Sequence, residues 1–281
     1  MYQQILITGA SSGIGRAAAL QFARKGHRII GVGRSQSKLD SLERALRNAG
    51  RHGSENHLVL QTDQSSLHDT VRLCESLKRN NVVPDVIIAN AGVQPATRRA
   101  TCEGLETTFA VNHLSHFLLV NILAPIVRKA NGRLIVTASS SHFDGPTLED
   151  DLLLREGWTP ADAYGRSKRA NIMFSAEVNQ RLRIPSTAFH PGDIRTNINR
   201  EARYVRFTKP FEFIRYESPT KAIGTLEWLA FSSEGAEPSA LYYANREPAI
   251  VADEVNDESR RALLWSASEQ LVQKVLGGLP W

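Results

Sequence analysis

Cysteine is scarce in this chain of 281 residues. Cys74 and Cys102 have neither the density of a disulfide framework nor the spacing of metal ligands, so both read as reduced structural thiols and no metal is expected. No unbroken apolar run approaches the roughly 20 residues of a membrane-spanning helix. Nothing resembles a secretory signal either, so the expectation is a cytoplasmic protein without stable membrane insertion. Tandem repeats and low-complexity tracts are missing, which excludes solenoids and long disordered tails. Charge of one sign does not dominate: 34 lysines and arginines face 29 acids, for a formal net charge of +5. Much of that excess lies between Arg195 and Tyr216. Positive charge confined to one segment, with no recognition motif beside it, argues against nucleic acid as a partner.

Hydrophobic residues make up 42% and charged residues 22% of the chain, enough to bury the core of one α/β domain spanning residues 1–281. The stretch Ile5 to Gly15 organises the rest. Ile5, Leu6 and Ile7 read as a buried strand, Gly9 starts a turn, and Gly13 and Gly15 open a helix. Glycines let the backbone approach a pyrophosphate, and the free N–H groups and positive dipole end of the new helix face its charge. A second strand, Arg28 to Val32, is followed by Gly33, Arg34 and Ser35. An acid at this place holds the ribose of NAD, whereas an arginine accommodates the 2′-phosphate of NADP. Here no acid precedes Asp40, Arg34 stands at the strand end and Lys38 follows one helical turn later, so NADP(H) is expected over NAD(H).

A helix is predicted from Ser37 to Ala49, a third strand over Leu58 to Leu60, and a helix from Ser66 to Lys78. Asp63 and Gln64, just past the third strand, are candidates for the adenine edge, although an aspartate in a turn is common. Val86 to Ala89 is a buried fourth strand ending at Asn90, Ala91 and Gly92, where small residues let the backbone press against a cofactor. A long helix is predicted from about Glu103 to Arg128. It carries Asn112, His113 and His116, and both histidines read as hydrogen-bonded core. Leu134 to Ala138 is the fifth strand, running into Ser139, Ser140 and Ser141. Strands alternating with amphipathic helices make a doubly wound parallel sheet, whose ligand lies beyond the carboxyl ends of the strands.

Another helix begins at about Ala163, and Tyr164 and Lys168, four apart, share one of its faces. An ammonium beside a phenol is expected to pull the tyrosine pKa down from about 10, which makes Tyr164 a candidate general acid and base.

Thr8-Gly9-Ala10-Ser11-Ser12-Gly13-Ile14-Gly15, Asn90-Ala91-Gly92, Asn112, the serines after strand five, Tyr164-x3-Lys168 and Pro191-Gly192 together resemble the short-chain dehydrogenases/reductases. The match extends over almost the whole chain. Val111 to Leu119, His190-Pro191-Gly192 and the tail around Leu264-Trp265 look most like the retinol-dehydrogenase and WW-domain oxidoreductase branch. The resemblance implies a Rossmann-type, seven-stranded parallel sheet of order 3-2-1-4-5-6-7, and a tetrad of Asn112, Ser140, Tyr164 and Lys168. Ser140 is chosen as the second serine after strand five. It further implies that Thr8, Gly9, Ser11, Ser12, Gly13, Ile14 and Gly15 cradle the cofactor, and that Pro191, Gly192, Ile194 and Thr196 cover the nicotinamide. A substrate lid over 195–216, a terminal helix over 257–276 and a homodimer or homotetramer complete the expectation. Retinol dehydrogenases usually carry an N-terminal anchor, and the first strand here starts at the fourth residue. The branch therefore speaks for scaffold more than for substrate. The activity implied is NADP(H)-dependent interconversion of a small-molecule carbonyl and its alcohol. The alternative keeps the fold and drops the chemistry, leaving an NADP(H)-binding regulatory protein.

Overall fold

Neighbouring side chains along a strand point to opposite faces of a sheet, and in this chain both faces are apolar. In the computed structural model, which describes residues 2–49, 56–148, 151–192 and 219–281, β1 (Gln4–Thr8) sends Leu6 into one buried cluster and Ile5 and Ile7 into another. Burial on both faces is what a parallel sheet requires. The other strands are β2 (Arg28–Gly33), β3 (Leu58–Gln61), β4 (Val86–Ala89), β5 (Arg133–Thr137), β6 (Ser186–His190), β7 (Tyr242–Ala244) and β8 (Glu247–Pro248). They lie in the order β3-β2-β1-β4-β5-β6-β7-β8.

The seven expected strands pair in parallel and in the expected order. The two-residue β8 is an addition, antiparallel to β7. It forms because Asn245 and Arg246 turn the chain with φ of 51° and 68°, the left-handed geometry of a two-residue hairpin. No glycine marks that turn in the sequence, so β8 is missed there.

Helices α1 (Gly13–Arg24), α2 (Gln36–Ala49) and α6 (Pro219–Phe231) cover the Ile5 face, with α1 contributing Ala18 and Phe22 and α6 contributing Leu226 and Leu229. The Leu6 face packs against α3 (Leu67–Arg79), α4 (Thr107–Lys129), α5 (Pro160–Glu177) and α9 (Glu258–Leu276). Two short helices, α7 (Ser233–Ala236) and α8 (Asp253–Asn256), lie between α6 and α9. α9 ends at Gly277, which lies in the left-handed region.

Two helices start elsewhere than periodicity suggests. α4 begins at Thr107 rather than Glu103, because the Glu106 carboxylate accepts hydrogen bonds from the N–H groups of Thr108 and Phe109. Its segment Ala110–Leu114 is a π-helical turn. By length and composition α4 could cross a bilayer, which inspection for unbroken apolar runs overlooks, yet 89% of its apolar window is buried in the fold. α5 starts at Pro160 rather than Ala163. Thr159 caps it through the N–H of Asp162, and proline suits its first position.

Strand order reverses between β1 and β4, so the crevice for a ligand opens at their carboxyl ends.

Candidate active site

β1 and β4 are locked together at that crevice. The Thr8 hydroxyl accepts hydrogen bonds from the N–H groups of Asn90 (2.8 Å) and Ala91 (2.9 Å), and the Asn90 amide donates to the Thr8 carbonyl at 2.9 Å. The Asn90 side chain therefore braces two strand ends. Gly9 follows with φ of 68°. A Cβ on Gly9 would lie 2.9 Å from the Ala91 Cα, and one on Gly15 would lie 2.5 Å from the Gly9 carbonyl oxygen. These glycines are demanded by close approach as well as by the turn. Ser12 precedes α1 in extended conformation, and Gly13, Ile14 and Gly15 form its first turn. Ser11 packs under the end of β2, where a Cβ on Gly33 would meet its hydroxyl at 2.9 Å.

Beyond β2, Arg34 is exposed and lines a cavity of about 530 Å³ together with Gln61, Thr62, Asp63 and Arg72. Arg34 and Asp63 are thus brought together as expected. One Asp63 oxygen also accepts from the backbone and hydroxyl of Ser65, at 2.9 and 2.8 Å, so it closes a turn as well. Lys38 is exposed on α2 and does not line the cavity. Gln64 is a correction. It turns inward, is buried, and donates to the Ser115 hydroxyl at 3.2 Å, because the chain leaving β3 directs it under α4. Arg72, ion-paired with Asp69 on α3, is a second guanidinium in the cavity that no local pattern announces.

The second cluster sits at the carboxyl end of β5. Lys168 on α5 is buried and donates to the Thr137 carbonyl at 3.0 Å, and its ammonium lies 5.3 Å from the centre of the Tyr164 ring. Burial pushes the Tyr164 phenol up to about 12, opposed by a side-chain hydrogen bond with Ser139. Burial draws the Lys168 ammonium down to about 8. The expected lowering of the phenol is thus reversed, since removing phenolate from water outweighs what favours it. Ser139, not Ser140, is the serine that bonds with Tyr164. Ser140 is exposed as the first residue of a 3₁₀ turn, Ser140–Phe143, which Ser139 caps by accepting from the Ser141 N–H at 3.2 Å.

Asn112 lies fully buried in the π turn of α4, a kind of irregularity common at functional sites. Its amide oxygen accepts from the Val93 N–H at 2.7 Å. Its amide nitrogen donates to the Val93 carbonyl at 3.1 Å and the Ser167 hydroxyl at 2.9 Å, and that hydroxyl donates to the Tyr164 carbonyl at 2.7 Å. Asn112 therefore clamps the loop after β4 onto the tyrosine-bearing helix. His113 and His116 are buried and hydrogen-bonded, as read from the sequence; the first meets the Ser268 hydroxyl of α9 at 3.0 Å.

Two flanking residues escape sequence reasoning. Gly165 lets the serine turn pack on α5, since a Cβ there would lie 2.5 Å from the Ser141 carbonyl oxygen. Arg169, also buried, holds the chain after that turn by donating to the carbonyls of His142, Asp144, Gly145 and Pro146, and it pairs with Glu254 at 2.8 Å. Pro191 and Gly192 follow β6 directly, with Gly192 at φ 86°. Ile194, Thr196 and the proposed lid over 195–216 lie outside the described residues. Among the described residues no group of histidine, cysteine and acidic side chains could hold a metal ion.

Known proteins resemble this chain over most of its length. Residues 3–205 match the family described as short chain dehydrogenase. A Streptomyces protein named for daunorubicin C-13 ketoreduction is 36% identical over 273 residues, covering 95% of this chain and 92% of its own length. Human retinol dehydrogenase 14 is 32% identical over 287 residues, covering 95% and 85%. Among solved structures, a short-chain dehydrogenase from Sphingobium yanoikuyae in complex with NADPH superposes with a TM-score of 0.64 at 23% identity, over 96% of this chain and 95% of that one.

Proposed function

The chain belongs to the short-chain dehydrogenase family of oxidoreductases, and from that footing we propose that it is an NADP(H)-dependent reductase of a ketone or aldehyde, able to run as the corresponding alcohol dehydrogenase. One observation carries the reading: Tyr164, Lys168 and Ser139 gather at the carboxyl end of β5, in the same parallel sheet whose β1 ends in a glycine turn too tight for any side chain. That turn, with the start of α1, fits a pyrophosphate. Thr8, Gly9, Ser11, Ser12, Gly13, Ile14 and Gly15 would hold it, and Asn90, Ala91, Gly92, Pro191, Gly192, Ile194 and Thr196 would enclose the nicotinamide half. Arg34 would meet the 2′-phosphate and Asp63 the adenine. When bound, the dihydronicotinamide supplies the hydride.

The chain's own residues manage the proton. Tyr164 keeps its hydrogen through neutral pH, because burial holds the phenol up, and it donates that hydrogen to the carbonyl oxygen of the substrate. Ser139 donates a hydrogen bond to the same oxygen, stabilising charge where it develops. Lys168 keeps its ammonium beside the Tyr164 ring and would hold the cofactor ribose, and Asn112 fixes the helix that carries both residues. A ketone is the favoured substrate class, since the Streptomyces relative is named for reducing one. A cytoplasmic homodimer or homotetramer belongs to the same proposal.

The test is titration with NADPH and NADH, followed by oxidation of bound NADPH with ketones and aldehydes. Tyr164→Phe should bind NADPH within about twofold of the parent and lose at least ~100-fold in kcat, the usual scale of general acid catalysis. Substantial residual turnover would remove Tyr164 from the proton step. Tight binding without turnover on any carbonyl would favour the regulatory alternative.

A further inference from the structure

Of the polar groups the proposed chemistry leaves unused, His116 reaches furthest. It lies on α4 one turn beyond Asn112 and is completely buried. Its Nδ1 is 3.0 Å from the Asn112 carbonyl oxygen, and its Nε2 is 2.9 Å from the Thr8 hydroxyl. A carbonyl only accepts, so Nδ1 must carry the hydrogen. In a neutral ring Nε2 is then an acceptor, and the Thr8 hydroxyl donates to it. That assignment leaves the Thr8 oxygen free to accept from the N–H groups of Asn90 and Ala91, as its distances require. The Ile88 carbonyl lies farther from the Thr8 hydroxyl, at 3.4 Å, than the ring nitrogen at 2.9 Å, so the hydrogen goes to the ring, and the bonds then run in one direction from the end of β4 through β1 to the π turn. The ring stays neutral at working pH, because burial, joined by the charge of Lys168, holds it down to about 4.

The two ends of this chain of bonds matter for the proposed oxidoreductase, on which the inference rests. Thr8 precedes the glycine turn. Asn112 clamps Val93 and, through Ser167, the backbone of Tyr164. We infer that His116 is a positioning residue, a neutral strut that sets the glycine turn at a fixed distance from Asn112 and the tyrosine helix. It touches neither substrate nor cofactor. Imidazole suits the task because it offers a donor and an acceptor on opposite sides of one rigid ring. Lysine and arginine have no acceptor, and leucine would strand both partners in the core.

The first test needs no nucleotide. Nitrogen-15 NMR of the wild-type protein should show His116 with a protonated Nδ1 and a bare Nε2 throughout neutral pH, and the opposite tautomer or a charged ring would overturn the strut. The second is a double-mutant cycle read by NADPH affinity and by kcat. His116→Asn keeps a donor toward Asn112 and loses the acceptor toward Thr8, whereas Thr8→Val loses the hydroxyl. Each should weaken NADPH binding about tenfold, on the scale of one buried hydrogen bond, and the double variant should be no worse than either alone. Thr8→Ser should restore affinity. His116→Gln keeps an acceptor near Nε2 but not the bond to Asn112, so it should hold NADPH affinity while kcat falls about tenfold. Additive losses, or equal effects of Asn and Gln on both parameters, would reduce His116 to ordinary packing. A wild-type protein that binds no NADPH would sink the oxidoreductase reading, and the tautomer would still decide the strut.

Discussion

Arg34 is the residue on which the proposed cofactor choice turns. It stands at the end of β2 on a cavity it shares with Arg72 and Asp63, and a phosphate there would meet two guanidinium groups. Arg34→Asp should weaken NADPH by roughly 10- to 100-fold, the scale of a charge-assisted hydrogen bond, and leave NADH little changed. The ratio of the two dissociation constants is the measurement, and an unchanged ratio would remove Arg34 from cofactor choice. Local chemistry of this kind is readable in advance. The glycine turn and the Tyr164–Lys168 pair follow from spacing along the chain, and each lies where that spacing predicts. Ser139 and Gln64 do not follow, because each depends on which way a side chain turns as the chain leaves a strand. Three consecutive serines look alike until the 3₁₀ turn exposes Ser140 and aims Ser139 at the phenol. The direction of the Tyr164 shift was equally hidden, since sequence shows a neighbouring lysine but not how much water burial removes.

At the scale of elements, α5 supports the site on two sides. Arg169 fastens the chain beyond the serine turn with four carbonyl contacts, and its pair with Glu254 is buried on both sides. Breaking such a pair from one side leaves an uncompensated charge. Arg169→Met should therefore lower stability by about 3–5 kcal/mol in urea unfolding. Turnover should fall as well, because Ser139 loses its fixed setting; an unfolding midpoint within error of the parent would contradict this account. Periodicity reveals most of these elements and misplaces their ends. α4 starts late because Glu106 caps it, and within it a π turn at Ala110–Leu114 breaks the period that the pattern assumes. Thr159-Pro160 is a legible helix start in retrospect, overshadowed in the sequence by the tyrosine motif that follows it.

At the scale of the whole molecule, two apolar layers enclose one sheet, and their buried histidines tie stability to pH. His116 is held down to about 4 and His113 to about 3, in each case chiefly by burial. Unfolded, both rings would bind protons near 6.5. The unfolded state therefore holds more protons below that value, and stability falls as pH drops from about 6.5 toward those lower values. For His116 alone the loss is on the order of 3 kcal/mol. Melting temperature should drop steeply between about pH 6.5 and pH 4, and a flat profile would show that the rings are not buried neutral. The parallel strands were legible as short, punctuated apolar runs, whereas their order came only with the family resemblance. The eighth strand was not legible, for it is two residues long and turns on an arginine.

The buried ion pair of Arg261 with Glu177 joins α9 to the end of α5 across 84 residues of sequence. A ribosome adding ~5–20 residues each second needs on the order of ten seconds to cover that interval. For that time the Glu177 carboxylate has only Arg181, one turn along, as a partner, and the face of α5 that α9 covers stays open. Each newborn copy thus passes through an interval in which its tyrosine-bearing helix lacks the cover of α9 and lies open to chaperones, proteases and other nascent chains.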